Sequence, residues 1–129
     1  MKKIILVLCL PFIFASCEIA DLLDDDNFNN YGQNIIFELE NNTGYQITDI
    51  EIFITNDSTI SDSVGTIENE EKKEIILDMC TAEVVDGSYS ITYKLSNEIN
   101  NKTFGYYTNG YPLEEKIKIY ISKTGLTIN

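Results

Sequence analysis

Carboxylates are the most abundant chemically active side chains of this chain. Its 129 residues include 21 Asp and Glu against 9 Lys and Arg, and they include no His. Without His, the Ser-His-Asp and Cys-His catalytic systems and His-based metal sites are excluded. Two carboxylates about 5–9 Å apart can hydrolyse a glycosidic bond, but a sequence alone does not show such a distance. We therefore expect no enzyme, no cofactor and no metal, with a carboxylate-based hydrolase as the catalytic alternative.

The first residues point to covalent chemistry at a cysteine. Two lysines precede an apolar run from Ile4 to Ala15, which is the arrangement of a secretory signal. A membrane-spanning helix needs about 20 apolar residues, so this run is too short for one. It ends in Phe14-Ala15-Ser16-Cys17, which resembles the lipobox of bacterial lipoproteins. The resemblance implies removal of residues 1–16 and attachment of diacylglycerol to the Cys17 sulfur through a thioether.

The cysteine count then leaves one thiol in the mature protein. Cys9 is lost with the signal peptide and Cys17 carries lipid, so Cys80 has no intramolecular partner by this interpretation. The neighbouring charges, Asp78 and Glu83, are negative and do not favour a thiolate. We expect Cys80 to behave as an inert, buried, small hydrophobic residue.

Residues 17–33 form the predicted lipidated cysteine and tether. The segment is acidic and rich in amides, and repulsion between like charges favours an extended chain. Acidic residues shortly behind a lipidated cysteine resemble the surface-export signal of Bacteroidota lipoproteins. That resemblance implies an outer-membrane location, with the surface and the periplasmic face both open. Asp24, Asp25 and Asp26 lack the alternate spacing and the glycine of a calcium loop.

Net charge limits the partners of the protein. The formal net charge is −12 and the chain contains no Arg. A basic surface is needed to neutralise phosphates, so nucleic acid is excluded as a partner. Membrane contact is expected through the N-terminal lipid alone, since anionic lipid surfaces would repel the domain.

Two serines are candidate modification sites. Asp57-Ser58-Thr59 and Asp62-Ser63-Val64 both resemble the acceptor motif of Bacteroidota periplasmic O-glycosylation. The resemblance implies Ser58 and Ser63 as acceptors. Both motifs begin in a polar stretch, residues 56–63, that we predict to be a loop.

Three tyrosines are candidate ligand contacts. Tyr106, Tyr107 and Tyr111 alternate with glycine and amide residues between Phe104 and Pro112. Tyrosine offers a large contact area with a polar tip, which suits a glycan or a protein surface. The alternative is that alternate tyrosines fill the protein core.

The elements that must position these side chains are predicted to be strands. From residue 34 onward apolar residues alternate with polar ones, and no segment shows helical spacing over three turns. A change of parity near Thr48 and Asp49 indicates a bulge. The predicted strands are 35–40, 45–55, 64–67, 73–79, 88–95, 102–108, 116–121 and 126–128.

Seven or eight short strands with regular turns predict an antiparallel, immunoglobulin-like Greek-key β-sandwich over residues 34–129. The block from Asp86 to Tyr89 resembles the tyrosine corner of such sandwiches, in which the phenol hydroxyl ties a loop to the backbone. The whole chain resembles small Bacteroidota lipoproteins of immunoglobulin-like fold. We predict a non-enzymatic envelope lipoprotein that binds a glycan or a protein partner. The alternatives are a periplasmic accessory or assembly subunit of a larger envelope complex, and the hydrolase named above.

Overall fold

The computed structural model describes residues 33–129, which contain nine β-strands and no helix. The predicted signal peptide, the lipidation at Cys17 and residues 18–32 of the tether lie outside the described residues. The strands are β1 (Asn34–Asn42), β2 (Ile47–Ile54), β3 (Asp57–Ile67), β4 (Lys72–Asp78), β5 (Gly87–Leu95), β6 (Glu98–Thr108), β7 (Tyr111–Pro112), β8 (Lys116–Ser122) and β9 (Gly125–Ile128).

The strands form two sheets that pack face to face. The four-stranded sheet has the order β4-β1-β8-β9, and the five-stranded sheet has the order β3-β2-β5-β6-β7. The predicted all-β sandwich is confirmed. One pairing differs from the predicted antiparallel arrangement, because β1 and β8 run parallel. Strand direction depends on contacts between distant segments, which the local alternation of residues does not encode.

The core is filled from both sheets by alternate residues of each strand. Isoleucine dominates it, and a group of aromatic rings packs among the isoleucines. The Phe37 ring meets the Tyr89 ring edge-on at 5.2 Å between centroids, and the Tyr107 ring lies 5.6 Å from that of Tyr89. Such pairs stabilise a core by about 0.5–1.5 kcal/mol beyond the apolar area that they bury.

The predicted bulge in β2 is confirmed. The register of β2 against β5 shifts between Thr48 and Glu51, and Asp49 has a φ of 50°. The extra residue restores the inward direction of Ile50 after Ile47, so both side chains are buried.

A second bulge, in β6, decides which tyrosines are buried. Tyr89 pairs with Phe104 and Gly87 pairs with Tyr107, so two residues of β6 lie opposite Ser88. Gly105 takes a φ of 60°, and a Cβ there would approach Cδ2 of Tyr89 to 2.9 Å. The bulge therefore needs glycine.

Two strand assignments from the sequence are corrected. Residues 57–63, predicted as part of a loop, belong to β3, which is an edge strand paired to β2 alone among the described strands. An edge strand faces solvent on several sides, so it carries few apolar residues. The β5–β6 turn is at Ser96 and Asn97, which have φ of 53° and 68°, and β6 begins at Glu98 instead of Lys102.

A buried asparagine joins the two sheets at one end. Asn41 on β1 is fully buried, and its Nδ2 donates to the carbonyl oxygens of Tyr45 at 2.7 Å and Ile67 at 2.9 Å. Its Oδ1 accepts from the backbone N–H and the hydroxyl of Thr43 at 3.0 and 2.8 Å. Because Ile67 ends β3, this side chain bridges the sheets with every polar atom satisfied.

Candidate functional site

The three candidate tyrosines do not form one surface. Tyr107 is 0% exposed and belongs to the core, so the prediction that it contacts a ligand is corrected. A Cβ on Gly87 would collide with the hydroxyl end of the Tyr107 ring, so the missing side chain of Gly87 makes room for that phenol. Tyr106 and Tyr111 are 47% and 46% exposed. The alternative that tyrosines fill the core is therefore correct for Tyr107, whereas Tyr106 and Tyr111 lie on the surface.

Tyr106 is held by a carboxylate. Its hydroxyl donates to Oδ2 of Asp86 at 2.6 Å, while Oδ1 of Asp86 accepts from the Thr108 hydroxyl at 2.6 Å and from the Asn109 N–H at 3.0 Å. We call these four residues the Asp86 clamp. The bonds from Thr108, Tyr106 and Asn109 hold the pKa of the Asp86 carboxyl below its ordinary value. The bond to Asp86 raises the pKa of the Tyr106 phenol.

The predicted tyrosine corner at Tyr89 is not present. The Tyr89 hydroxyl is buried and makes no hydrogen bond with any described residue. Burial raises the pKa of this phenol. The loop that begins β5 is instead tied by the Asp86 clamp, and the Asn56 amide donates to the Asp86 carbonyl oxygen at 2.8 Å.

Tyr111 lies where the chain enters the sandwich. The side-chain amide of Gln33 donates to its hydroxyl at 3.5 Å, and the Met79 N–H donates to the Gln33 carbonyl oxygen at 2.7 Å. The start of β1 and Tyr111 are therefore close. Tyr111, a predicted ligand contact, thus lies at the end of the domain where β1 begins.

The outer side of the five-stranded sheet carries two rows of residues across four neighbouring strands, and seven of the eight residues are polar. The cross-strand partners in one row are Ser61, Phe53, Ser90 and Thr103, and those in the next are Ser63, Glu51, Thr92 and Asn101. We call these eight residues the hydroxyl face. Neighbouring strands are about 4.8 Å apart, so each row sets polar groups at short, regular intervals.

Most polar side chains of the hydroxyl face have no hydrogen-bond or ion-pair partner among residues 33–129. The Ser90 and Thr103 hydroxyls bond each other at 2.9 Å. The side chains of Ser61, Ser63, Glu51, Thr92 and Asn101 make no hydrogen bond or ion pair with the described residues. Phe53 is half-buried among them and adds an apolar ring. The sequence predicted the strands but not this face, although the outward Ser88, Ser90 and Thr92 of β5 could have indicated it.

The candidate acceptors Ser58 and Ser63 are both exposed on β3. Ser63 belongs to the hydroxyl face, whereas Ser58 lies where the β2–β3 register shifts. The carboxylate of Asp57 accepts from the N–H and the hydroxyl of Thr59 at 2.9 and 2.6 Å, which lowers the pKa of Asp57. Both acceptor hydroxyls are accessible to a modifying enzyme, and their glycosylation stays a prediction.

The outer side of the four-stranded sheet is different, because its charges are paired. Lys116 bonds Glu38 at 2.8 Å and Glu74 at 2.7 Å, and Lys72 bonds Glu40 at 2.9 Å. We call these five residues the ion-pair face. The bond from Lys116 lowers the pKa of Glu38, whereas a glycosidase general acid needs a raised pKa. Glu38 thus lacks the raised pKa that a general acid needs.

The expectation for Cys80 is corrected. Cys80 is half-buried and disulfide-bonded, so it is not an inert thiol in this structure. The other cysteines of the chain, Cys9 and Cys17, lie outside the described residues. A cysteine sulfur carries either a disulfide or a thioether, so a bond to Cys17 would be incompatible with the predicted lipidation of that residue. A bond to Cys9 would be incompatible with the predicted removal of residues 1–16.

Within residues 33–129 there is no helix of the length and apolarity that crossing a membrane requires, and no group of three metal-ligating side chains. No protein-family model and no curated protein matches the chain. The fold is similar to that of a solved structure described as "NMR structure of the protein from Eubacterium rectale". The two chains are 10% identical, with a TM-score of 0.49 over 79% of this chain and 92% of that one.

Proposed function

We propose that the mature protein is an outer-membrane lipoprotein, anchored through Cys17, whose β-sandwich binds a glycan or an envelope protein without catalysis. The observation that carries the binding role is the hydroxyl face, where five polar side chains have no partner within the described part of the domain. The anchor is supported by the basic start, the short apolar run and Cys17. Two or more acyl chains would hold the protein on the membrane, since one chain binds only marginally.

A first experiment tests the anchor by the intact mass of the protein from its own host. The expected mass is that of residues 17–129 with diacylglycerol, and Cys17→Ala should lose both the lipid and detergent-phase partitioning. A mass that lacks lipid and shifts on reduction would instead support a disulfide between Cys17 and Cys80.

The same mass measurement tests glycosylation of Ser58 and Ser63. Extra mass that O-deglycosylation removes, and that the Ser58→Ala/Ser63→Ala variant lacks, would support these acceptors. An unshifted mature mass would contradict them.

A periplasmic accessory subunit is the second candidate function. The observation that favours it is a set of exposed apolar side chains in the loops near Tyr111: Val84, Val85 and Leu113. Exposed apolar residues that cluster on a surface mark protein contacts. Protease treatment of intact cells separates the two functions, because cleavage of the domain requires display on the cell surface and protection indicates a periplasmic position.

A further inference from the structure

We propose that the hydroxyl face binds a neutral oligosaccharide, which lies across β3, β2, β5 and β6. This inference rests on the proposed function and names its ligand class.

Charge selects a neutral ligand. The eight positions of the hydroxyl face include one ionised side chain, Glu51, and no cation. The chain as a whole carries −12, so an anionic polymer is repelled by the field of the protein. A polycation would find only one carboxylate, that of Glu51, to pair with on this face. The same carboxylate can accept hydrogen bonds from neutral hydroxyls.

Spacing selects a ligand with many hydroxyls. Thr92 and Asn101 are cross-strand partners, and Ser63 and Glu51 continue their row. Hydroxyl and amide groups both donate and accept, so the row can bond a ligand whose own hydroxyls recur at short intervals. An extended peptide would instead seek the backbone of a sheet edge, because the N–H and C=O groups of inner strands are already paired.

Two aromatic rings frame the face and offer stacking surfaces. Phe53 lies in the centre of one row, and Tyr106 follows the β6 bulge, opposite Ser88. Since β2 and β6 are separated by β5, the two strands that carry these rings are about 10 Å apart. Rings on a surface pack against the C–H side of a sugar. The Asp86 clamp fixes the Tyr106 ring before any ligand arrives.

The test uses the mature protein in detergent on an array of neutral, anionic and amino-sugar oligosaccharides. We expect binding to neutral glycans, weakened at least tenfold by Phe53→Ala in one row and by Thr92→Glu, which adds a charge in the other row. Ile76→Ala is the matched control, because Ile76 is exposed on the four-stranded sheet, and it should bind like the unchanged protein. Circular dichroism of each variant confirms folding. Thr92→Glu keeps the test valid should Phe53→Ala unfold.

Three outcomes would overturn the ligand class: no bound glycan, binding to charged glycans alone, or binding that neither substitution changes. A photo-crosslinker placed at Thr103 in intact cells then separates this failure from failure of the proposed function. A crosslinked envelope protein, lost on Thr92→Glu, would leave a binding module with a protein partner. Absence of both a glycan and a crosslinked protein would contradict the proposed function as well.

Discussion

The two outer faces of the sandwich use polar residues in opposite ways. On the ion-pair face, long Lys and Glu side chains bond each other, as Lys116 does with Glu38 and Glu74. On the hydroxyl face, short side chains such as Thr92 and Asn101 bond no described residue. Long charged side chains lose up to about 2 kcal/mol of rotamer freedom when they are fixed, and short ones lose less. Fixing side chains against a ligand would therefore cost less conformational entropy on the hydroxyl face than on the ion-pair face.

The largest expected effect comes from a change under the hydroxyl face. Gly87→Ala should lower the free energy of unfolding by about 3 kcal/mol or more, because the new Cβ meets the Tyr107 phenol. In a Tyr107→Phe background the loss should shrink only in part, since the hydroxyl is removed but the ring carbon Cζ stays close to the new Cβ. Urea denaturation measures both. Gly65→Ala is the control, with nothing within 4 Å of its Cβ, and an equal loss there would contradict the account.

The next effect concerns the link between the sheets that carry the two faces. Asn41→Ala should cost about 2–4 kcal/mol, because it removes the side-chain donor to the Ile67 carbonyl oxygen and the acceptor of the buried Thr43 N–H. The Tyr45 carbonyl oxygen keeps its bond from the Thr43 hydroxyl. Asn42→Ala removes one exposed bond to Glu40 and should cost far less. Denaturation midpoints of the two variants test this, and similar losses would show that the bridge contributes little.

Acid should weaken the Asp86 clamp. The folded pKa of Asp86 lies below its unfolded value, so its contribution to stability is present above that unfolded value, near pH 4, and is lost as the pH falls through the folded pKa. Asp86→Asn should therefore show a shallower fall of Tm between about pH 5 and pH 2 than the unchanged protein. Asp62→Asn, whose carboxylate accepts one N–H bond, is the control. If Tm falls identically with pH in all three proteins, the Asp86 clamp does not contribute to stability.

The smallest expected effect is a difference in the salt dependence of Tm between a variant of the ion-pair face and a variant of the hydroxyl face. Lys116→Met on the ion-pair face should shift Tm by less than about 3 °C, because exposed ion pairs contribute little. That shift should shrink in about 1 M salt, where charges are screened within a few ångströms. Thr92→Val on the hydroxyl face should show no salt dependence. Equal salt responses of the two variants would contradict the distinction between the faces.

Local patterns in the sequence predicted much of the sandwich and less of its surface. The alternation around Ile50 and Tyr89 predicts inward and outward positions, because each strand buries one side. The bulge at Gly105 determines that Tyr106 is exposed and Tyr107 is buried. An isolated glycine in a strand is the sequence signal that could have indicated this bulge. Residues 57–63 of β3 were missed, although its end at 64–67 was predicted, because an edge strand does not need apolar alternation.

The hydroxyl face could not be predicted from the sequence, because it depends on which strands are neighbours in the sheet. Phe53 and Thr103 belong to one row only when β5 lies between β2 and β6. The parallel pairing of β1 with β8 was beyond the sequence for the same reason. The candidates Tyr106 and Ser63 could be proposed from residue type, but that Ser63 shares its face with Phe53 could not.

The most direct measurement is a titration of the isotope-labelled protein with the neutral oligosaccharide that binds best on the array, followed by amide NMR. We expect saturable shifts of the amide signals of Phe53, Thr92 and Thr103, with the amides of Glu38 and Lys116 unchanged. Shifts centred on the ion-pair face, or no shifts at any concentration, would contradict the claim that the hydroxyl face is the binding surface.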